Sequence, residues 1–473
     1  MNITPKMLIK NRFLLRLIKV LRLTPHQMTP IVVSFSFFME SLDATILNTG
    51  IPAMAHSLNI DPINLKLALI SYLVTLAVFI PISGWVADKY SVKRVFLFAL
   101  YVFLLSSIAC GFSKNLMALT ISRVFQGIGG AFMLPVGRLI VLRSFPREEL
   151  VKRLGQVIML GSFGMMLGPF LGGMIVYYTS WQWIFWINIP MGVLTIVLAH
   201  IGLINFQTVN VPSLDIKGFI LFGLSLASLT LGLSTISDSV IPHWVTESLL
   251  FIAILLLYTY MRHSQSQKFP IIKIKLFQYQ TFKISVIGNL VARLGFGGIP
   301  FLLPLMLQLG LGYDSKLSGE LLMPLALGIL FIKPAAPTLL RLLGYRRLLM
   351  INTSLVGLSI WSFILINEGT HLGLIASLIF IFGLLVSLQY SGMNSLAYLD
   401  IEQQDLSAAT SIMGTVQQLA MSFGVAISAG LIRYLVPFTS KTPLLTMSTF
   451  HHVFFGVGFI TLLSICVFIR IRE

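Results

Sequence analysis

The chain is poor in charge, in cysteine and in nucleotide-binding motifs. Only 10% of its 473 residues are charged, whereas soluble proteins average about 25%. The two cysteines, Cys110 and Cys466, both lie in apolar runs, which argues against a disulfide framework. No G-x-x-x-x-G-K-[ST] loop occurs, so we do not expect this polypeptide to use ATP. These absences argue against an ordinary soluble domain.

Clusters of catalytic or metal-binding side chains are also lacking. An enzyme should show grouped His, Cys or acidic ligands, or a nucleophile beside a base. The only adjacent histidines, His451 and His452, stand alone at the start of the last apolar run. The sequence therefore predicts no enzyme, no metal and no cofactor.

Hydrophobic residues fill most of the chain. They make up 56% of it, and the mean hydropathy is +0.90. Apolar windows of about 18–25 residues, long enough to cross a bilayer as a helix, predict fourteen membrane spans. These cover residues 31–55, 67–87, 95–113, 115–141, 154–178, 183–204, 216–236, 245–261, 283–310, 317–340, 347–366, 372–396, 408–432 and 452–470. Merging the seventh and eighth into a re-entrant hairpin would give twelve.

Lysine and arginine are distributed unevenly between the two sides of the predicted membrane. With the N-terminus placed in the cytoplasm, 24 of the 33 fall on the cytoplasmic side and 5 on the other. Cytoplasmic loops carry an excess of these residues, so both termini are predicted to be cytoplasmic. The net charge of +17 then reflects topology, with anionic inner-leaflet lipid as its partner and no nucleic acid. Four cations remain within spans: Arg123, Arg138, Arg293 and Lys333.

The chain divides into four predicted parts. Residues 1–30 carry six cations among Leu and Ile, which predicts a basic amphipathic helix on the membrane surface. No apolar core long enough for a signal peptide occurs before residue 31. We expect a six-helix bundle over 31–204, a two-helix insert with a cytoplasmic linker over 205–281, and a second six-helix bundle over 282–473.

Two acids lie in the first span, Glu40 and Asp43, and no other span places a carboxylate at mid-depth. An ionised acid at the bilayer centre costs about 2.5–3.5 kcal/mol even on lenient scales. At i and i+3 the two share one face of a helix. Two like charges this close, away from water, favour protonation of one of them near neutral pH. The pair is therefore a predicted site of proton coupling.

A basic loop occurs twice, 253 residues apart. The first copy follows the second span and contains Gly84, Asp88, Lys93 and Arg94; the second follows the tenth span and covers 337–347. Three positions align between the copies: Ser91 with Gly344, Lys93 with Arg346, and Arg94 with Arg347. This placement, after the second span of each six-span half, indicates a duplicated protein with parallel halves.

A stripe of small residues marks the fifth span. Glycines recur every fourth residue, which lets a neighbouring helix approach closely, and a proline bends the span. The motif comprises Gly164, Gly168, Pro169, Gly172 and Gly173. Ordinary small-residue packing is the alternative interpretation. The three tryptophans in 180–190, which open the sixth span, predict an interfacial belt.

Taken in order, these motifs resemble those of the major facilitator superfamily, and specifically its fourteen-span drug/proton antiporters. Residues 42–52 resemble the first-helix signature, 84–94 the superfamily loop, 123–130 the fourth-helix motif and 164–173 the antiporter motif. Residues 288–308 further resemble the MdtD-type subgroup of multidrug exporters. The resemblance covers nearly the whole chain. It implies an all-α integral membrane protein with two six-helix bundles plus two extra helices.

Roles for particular residues follow from this resemblance. Arg123 needs a counter-ion, and a change of partner on protonation would couple proton movement to opening of a cavity. Asp43 matches the family position, so we expect it to be the main proton carrier, with Glu40 as a modulating neighbour. Asp88 should cap a helix N-terminus of the other half or pair with Arg94, latching a cytoplasmic gate. A structural ion pair and a solvated turn acid are the alternatives.

Some positions depart from the pattern or contribute polar groups to it. Ser91 stands where the family has glycine, which disfavours a left-handed turn there. The polar residues that we take as substrate-binding candidates are Asn48, Gln126, Arg293 and Gln308.

Two transport functions remain open. The 35 Phe and 20 Met residues favour proton-driven export of lipophilic drugs, although packing of the core explains the same composition. Arg293 and Lys333 lack an evident acidic partner and could instead bind a small organic anion such as a carboxylate. In both cases we expect a monomeric, multi-pass protein of the cell inner membrane that exchanges protons for substrate.

Overall fold

The computed structural model describes residues 25–205, 213–236, 241–402, 405–435 and 445–471, and over these residues it is helical without strands. We number its fourteen long helices in chain order. They are α1 Pro25–Leu58, α2 Lys66–Tyr90, α3 Val92–Gly111, α4 Leu116–Ser144, α5 Arg147–Tyr178, α6 Trp183–Gly202, α7 Ile216–Thr235, α8 His243–Ser266, α9 Gln280–Gly310, α10 Ser315–Phe331, α11 Ala336–Leu365, α12 Leu372–Ala397, α13 Leu406–Leu435 and α14 Met447–Phe468.

These helices correspond one to one with the predicted spans. In the described part of the chain, thirteen are long and apolar enough to cross a membrane. The other, α10, has 17 residues, the lower limit for crossing a hydrocarbon core of about 30 Å. Helices α7 and α8 are separate, with 20 and 24 residues, so the twelve-span alternative is not observed. The predicted surface helix over 1–30 lies almost entirely outside the described residues.

The tenth span was predicted too long. Residues 317–340 read as one apolar segment, but α10 ends at Phe331 and α11 begins at Ala336. Lys333 therefore lies in a turn between two helices and not within a span. Hydropathy could not detect this break because the residues on both sides of the turn are apolar.

Successive helices run in opposite directions, so their connections fall at two ends of the molecule. The turn after α1 contains Asp61, whose Oδ1 accepts a hydrogen bond from the Ile63 backbone N–H at 2.8 Å and caps a short 3-10 helix. The connection after α2 is reached just past Asp88. We call these the Asp61 end and the Asp88 end.

The two loop copies share an unusual backbone conformation. Ser91 has φ 81° and Gly344 has φ 71°, which supports the alignment of these two positions. Ser91 adopts this conformation although serine disfavours it energetically. A hydrogen bond between Ser91 Oγ and Asn205 Oδ1 helps to hold this strained residue, since positive φ outside glycine costs about 1–3 kcal/mol.

This strain leads to a stability prediction. Ser91→Gly should be at least as stable as the wild type, because it relieves the strain while losing one hydrogen bond of about 1 kcal/mol. Ser91→Ala should be less stable, because it keeps the strain and loses the bond. Thermal unfolding in detergent measures both, and Ser91→Ala matching Ser91→Gly would contradict the argument.

Side-chain contacts join the first six and the last six helices at the Asp61 end. Gln308 Nε2 donates to the Thr49 carbonyl at 3.0 Å, linking α9 to α1. Arg433 Nη1 lies 2.7 Å from Asp61 Oδ2. At the same end Ser315 Oγ donates to the carbonyl of Gly173 at 3.2 Å. These contacts hold the two sets of helices together on that side.

Candidate functional site

A buried ion pair lies at the centre of the first six helices. Asp43 Oδ2 on α1 is 2.7 Å from Arg123 Nη1 on α4, and each side chain is only 1% exposed. The Arg123 guanidinium also lies over the Tyr72 ring of α2, with Cζ 4.2 Å from the ring centre. A charge in this setting is stable only with a partner and a full set of hydrogen bonds.

The side-chain amides of Gln126 and Asn188 also donate hydrogen bonds to Asp43. Its Oδ1 accepts from Gln126 Nε2 at 2.8 Å and from Asn188 Nδ2 at 3.0 Å. Gln126 is itself held, because its Oε1 accepts from Arg123 Nη1 at 2.6 Å and its Nε2 donates to Ser107 Oγ at 2.9 Å. We call this cluster the Asp43 network. Its donors supply hydrogen bonds to both carboxylate oxygens of Asp43.

Glu40 lies one turn earlier on α1 in a different environment. Its side chain is 8% exposed, and its Oε2 atom is buried without a hydrogen-bond partner among the described residues. Arg138 of α4 attracts its carboxylate group, and Asp43 repels it. Glu40 thus lacks the hydrogen-bond donors that surround Asp43. The two acids of one helix face are therefore held differently.

Part of the Asp43 network was not found from the sequence. Asn188 lies in the 180–190 segment, of which only the tryptophans were interpreted, and Tyr72 and Ser107 were not singled out. The available signal was a polar residue within an apolar run, which occurs at many positions in this chain. Gln126 was a substrate candidate, but in this conformation its amide is occupied inside the network.

The other substrate candidates do not form one cluster. Gln308 donates to the carbonyl of Thr49, next in sequence to the buried Asn48. Arg293 lies fifteen residues before Gln308 on α9, and its Nε donates to Asn289 Oδ1 at 3.2 Å. Its guanidinium stacks on Tyr390, with Cζ 3.9 Å from the ring centre. No hydrogen bond among the described residues joins Arg293 to the other candidates.

The first loop copy is held within the first six helices. Asp88 Oδ1 lies 2.5 Å from Arg143 Nη2 at the end of α4, and not against Arg94, which is exposed. Lys93 Nζ donates to the carbonyls of His200 and Leu203 at 2.8 and 2.7 Å, satisfying the C-terminus of α6. The expected pairing of Asp88 with Arg94 is thus replaced by pairing with α4.

A side chain would fit at the loop glycine, Gly84, but not at the glycines of the stripe in α5. A Cβ on Gly84 would meet nothing within 4 Å. A Cβ on each stripe glycine would overlap another helix: Phe38 for Gly164, Thr45 for Gly168, Ile46 and Thr49 for Gly172, and Ser315 for Gly173. The Pro169 carbonyl also lies against Gly319. The stripe therefore packs mostly on α1, and its last glycine touches α10.

Comparison with known proteins identifies the family. The Major Facilitator Superfamily profile matches residues 33–425. The chain belongs to the Major Facilitator Superfamily. The membership expected from the motifs is thus confirmed, and the chain is a multi-pass membrane protein of a transporter family.

Several bacterial proteins are similar to the chain over most of its length. The chain is 38% identical over 398 residues to a Haemophilus influenzae protein that bears the name transport protein HsrA, covering 84% of this chain and 86% of that one. It is 37% identical to a Pectobacterium carotovorum protein that bears the name multidrug resistance protein MdtD, covering 85% and 86%. For the Escherichia coli O8 protein of the same name the identity is 35%, covering 93% of each.

Solved transporter structures share the fold at low identity. A POT family transporter in complex with 5-aminolevulinic acid superposes with a TM-score of 0.69 at 16% identity, covering 93% of this chain and 94% of that one. The nucleoside transporter NupG gives 0.65 at 12% identity, covering 95% and 100%. At these identities the likeness shows the fold alone.

Proposed function

We propose that the chain is a proton-coupled exporter of small molecules that works by alternating access across the cytoplasmic membrane. In this proposal the bundles over 31–204 and 282–473 move against each other, with 205–281 between them. The relatives that bear a multidrug resistance name support drug-like substrates. One proton crossing about 100 mV supplies roughly 2.3 kcal/mol, somewhat more than a tenfold gradient of a neutral substrate requires.

The observation that carries the proposal is the buried Asp43–Arg123 pair. Ionisable residues inside a membrane bundle are costly and are typical of proton pathways. Protonation of Asp43 would remove the charge that Arg123, Gln126 and Asn188 hold in place, and Arg123 would then need another partner. Glu40, one turn away with an unpaired carboxylate oxygen, is the nearest acid on the same helix. A shift of Arg123 between these two acids would couple protonation to movement of α1 against α4.

A small organic anion is the second candidate substrate. Arg293 favours it, because its described partners are an amide oxygen and a tyrosine ring and no carboxylate among the described residues forms an ion pair with it. A guanidinium without a counter-ion readily accepts a carboxylate in bidentate geometry.

Everted membrane vesicles test the proposal and separate the two substrates. The assay follows uptake of a cationic dye and of a tricarboxylate, each driven by an imposed proton gradient. We expect gradient-dependent uptake of at least one of them, abolished by a protonophore. Vesicles without the protein are the control. Uptake that ignores the gradient would contradict proton coupling, and uptake of the tricarboxylate alone would select the second substrate.

Topology is a separate prediction. The 24 to 5 distribution of Lys and Arg and the even number of helices should place both termini, and hence the Asp88 end, in the cytoplasm. A reporter fused at Glu473 should report the cytoplasm, and one fused near Asp238 should report the opposite side. The reverse pattern would contradict the orientation.

The Asp88 loop gives a further prediction. Asp88→Asn should leave insertion intact and change stability by only about 1 kcal/mol or less, because the ion pair with Arg143 is partly exposed. Transport should nevertheless fall, since Arg143 loses the acid that ties α4 to the end of α2. Efflux is measured at matched expression, with Arg94→Gln as a control that removes an exposed charge from the same loop. Normal efflux by Asp88→Asn would make Asp88 an ordinary loop acid.

A further inference from the structure

A cleft opens at the Asp88 end among the last six helices. Its volume is about 560 Å³, within the range of sites that hold small ligands. The wall is formed by the turn after α10, the start of α11 up to Tyr345 and the end of α12. The lining residues are Lys333, Ala336, Pro337, Leu340, Arg341, Tyr345, Ser391, Asn394 and Ser395. We call it the Lys333 cleft.

Its charged lining is of one sign. Lys333 and Arg341 are the only charged residues of the wall, and both are cations. Lys333 Nζ donates one hydrogen bond, to Ser162 Oγ of α5 at 2.8 Å, which leaves two of its three protons for other acceptors. Neither cation forms an ion pair with an acid among the described residues. Partial burial lowers the pKa of Lys333, as expected for a cation without a counter-charge.

Further donors line the inner wall. The Asn394 side chain uses its Oδ1 to accept from Gln417 Nε2 at 2.8 Å, so its own N–H groups remain available to a ligand. Ser391 donates its only hydroxyl proton to the Ser387 carbonyl, so it adds no donor. The nearest acid beyond α12, Asp400, accepts a hydrogen bond from Thr281 and does not line the cleft. The wall therefore presents donors and positive charge together.

The surroundings of the cleft are apolar and exposed. Phe331, at the end of α10, is 73% exposed, and Leu342, on the short segment of α11 before the Gly344 kink, is 75% exposed. In a membrane protein such side chains meet lipid tails. Cations beside exposed apolar groups at a helix end are the arrangement that binds acidic headgroups between transmembrane helices.

We propose that the Lys333 cleft binds the phosphate group of an anionic ligand, with Lys333 and Arg341 as its cations and Asn394 as a neutral donor. The phosphate belongs either to a lipid headgroup of the surrounding leaflet or to a soluble phosphate ester. This inference rests on the proposed function in one respect, the location of the Asp88 end in the cytoplasm. Binding itself requires no transport step.

Calorimetric titration of the purified full chain in detergent tests this site. The probes are short-chain phosphatidylglycerol for the lipid source and sn-glycerol phosphate for the soluble source. Lys333→Gln and Arg341→Gln should each weaken binding about tenfold, because each removes one charge-assisted contact. Lys333→Arg should retain binding. The matched control is Arg347→Gln, which removes an exposed cation of the same helix that does not line the cleft and should change nothing.

Each outcome decides a separate point. Tighter binding of the lipid probe assigns the site to a headgroup, and equal or tighter binding of the glycerol phosphate assigns it to a soluble ester. Equal affinities in Lys333→Gln, Arg341→Gln and Arg347→Gln, or no binding of either probe, would overturn the proposal. A chain that binds in the expected pattern but does not transport in vesicles would refute the proposed function and leave the cleft assignment standing.

Discussion

Asp43→Asn should abolish proton-driven transport. The carboxamide keeps the size of the side chain but cannot titrate, and it leaves Arg123 buried without its counter-charge. Removing one partner of a buried pair costs about 3–5 kcal/mol, so the variant should also unfold at a lower temperature. Substrate-evoked proton release in proteoliposomes measures coupling, and thermal unfolding in detergent measures the structural part.

Two controls separate coupling from folding. Asp43→Asn combined with Arg123→Gln removes both charges, so it should recover much of the stability while still failing to couple. Glu40→Gln changes the other acid of the same helix without altering its size. It should be milder and should shift the pH optimum, because the two acids interact.

The same variants can contradict the assignment of Asp43 as the main proton carrier. Normal coupling by Asp43→Asn together with loss of coupling by Glu40→Gln would invert the roles of the two acids. The missing donor at Glu40 Oε2 makes this inversion a concrete alternative. Normal coupling by both variants would place the proton path elsewhere in the protein.

Gly164→Leu should strongly destabilise the protein. A Cβ at this position would overlap the carbonyl oxygen of Phe38 and crowd the backbone of Leu42 on α1. Backbone cannot turn aside as a flexible side chain can, so α5 and α1 must separate. Overpacking of this kind costs about 1–3 kcal/mol or more. The same displacement would move Asp43, so transport by any folded fraction should fall as well.

The matched control lies on the same helix. A Cβ on Gly155 would meet nothing within 4 Å, and Gly155→Leu brings the same gain in helix propensity as Gly164→Leu, about 0.8–1.0 kcal/mol. The difference between the two variants therefore isolates the contact with α1. Monodisperse yield from the membrane and the unfolding temperature are the measurements. Equal values for Gly155→Leu and Gly164→Leu would show that α5 does not depend on this close approach.

The sequence by itself determined the class of protein and the number of helices. Transfer of a segment into lipid depends on the summed hydropathy of about twenty neighbouring residues, which is a local property of the chain. Each of the fourteen predicted spans therefore corresponds to a helix, including the seventh and eighth. The motifs that carry the family resemblance are also local, because each occupies one helix or one loop.

Tertiary structure decided which residues meet. The Asp43 network joins Asp43 to positions 80, 83 and 145 residues away, so no local pattern could select Asn188 from the other polar residues of apolar runs. The sequence did predict that Arg123 pairs with an acid of the first helix, because Glu40 and Asp43 are the only carboxylates at mid-depth of a predicted span. The choice of Asp43 over Glu40 depended on how α4 and α6 pack on α1.

Packing between helices also explains why the contacts at the Asp88 end differ from those predicted. Asp88 pairs with Arg143 and not with the neighbouring Arg94, because packing brings the end of α4 beside the end of α2. Hydropathy also could not predict the break after Phe331. Because of this break, Lys333 lies in the wall of a cleft and not within a span. The hydropathy that places a segment in the membrane depends only on neighbouring residues along the chain. The pairing of charges and the shape of clefts depend on distances between helices, and only the packed bundle fixes those distances.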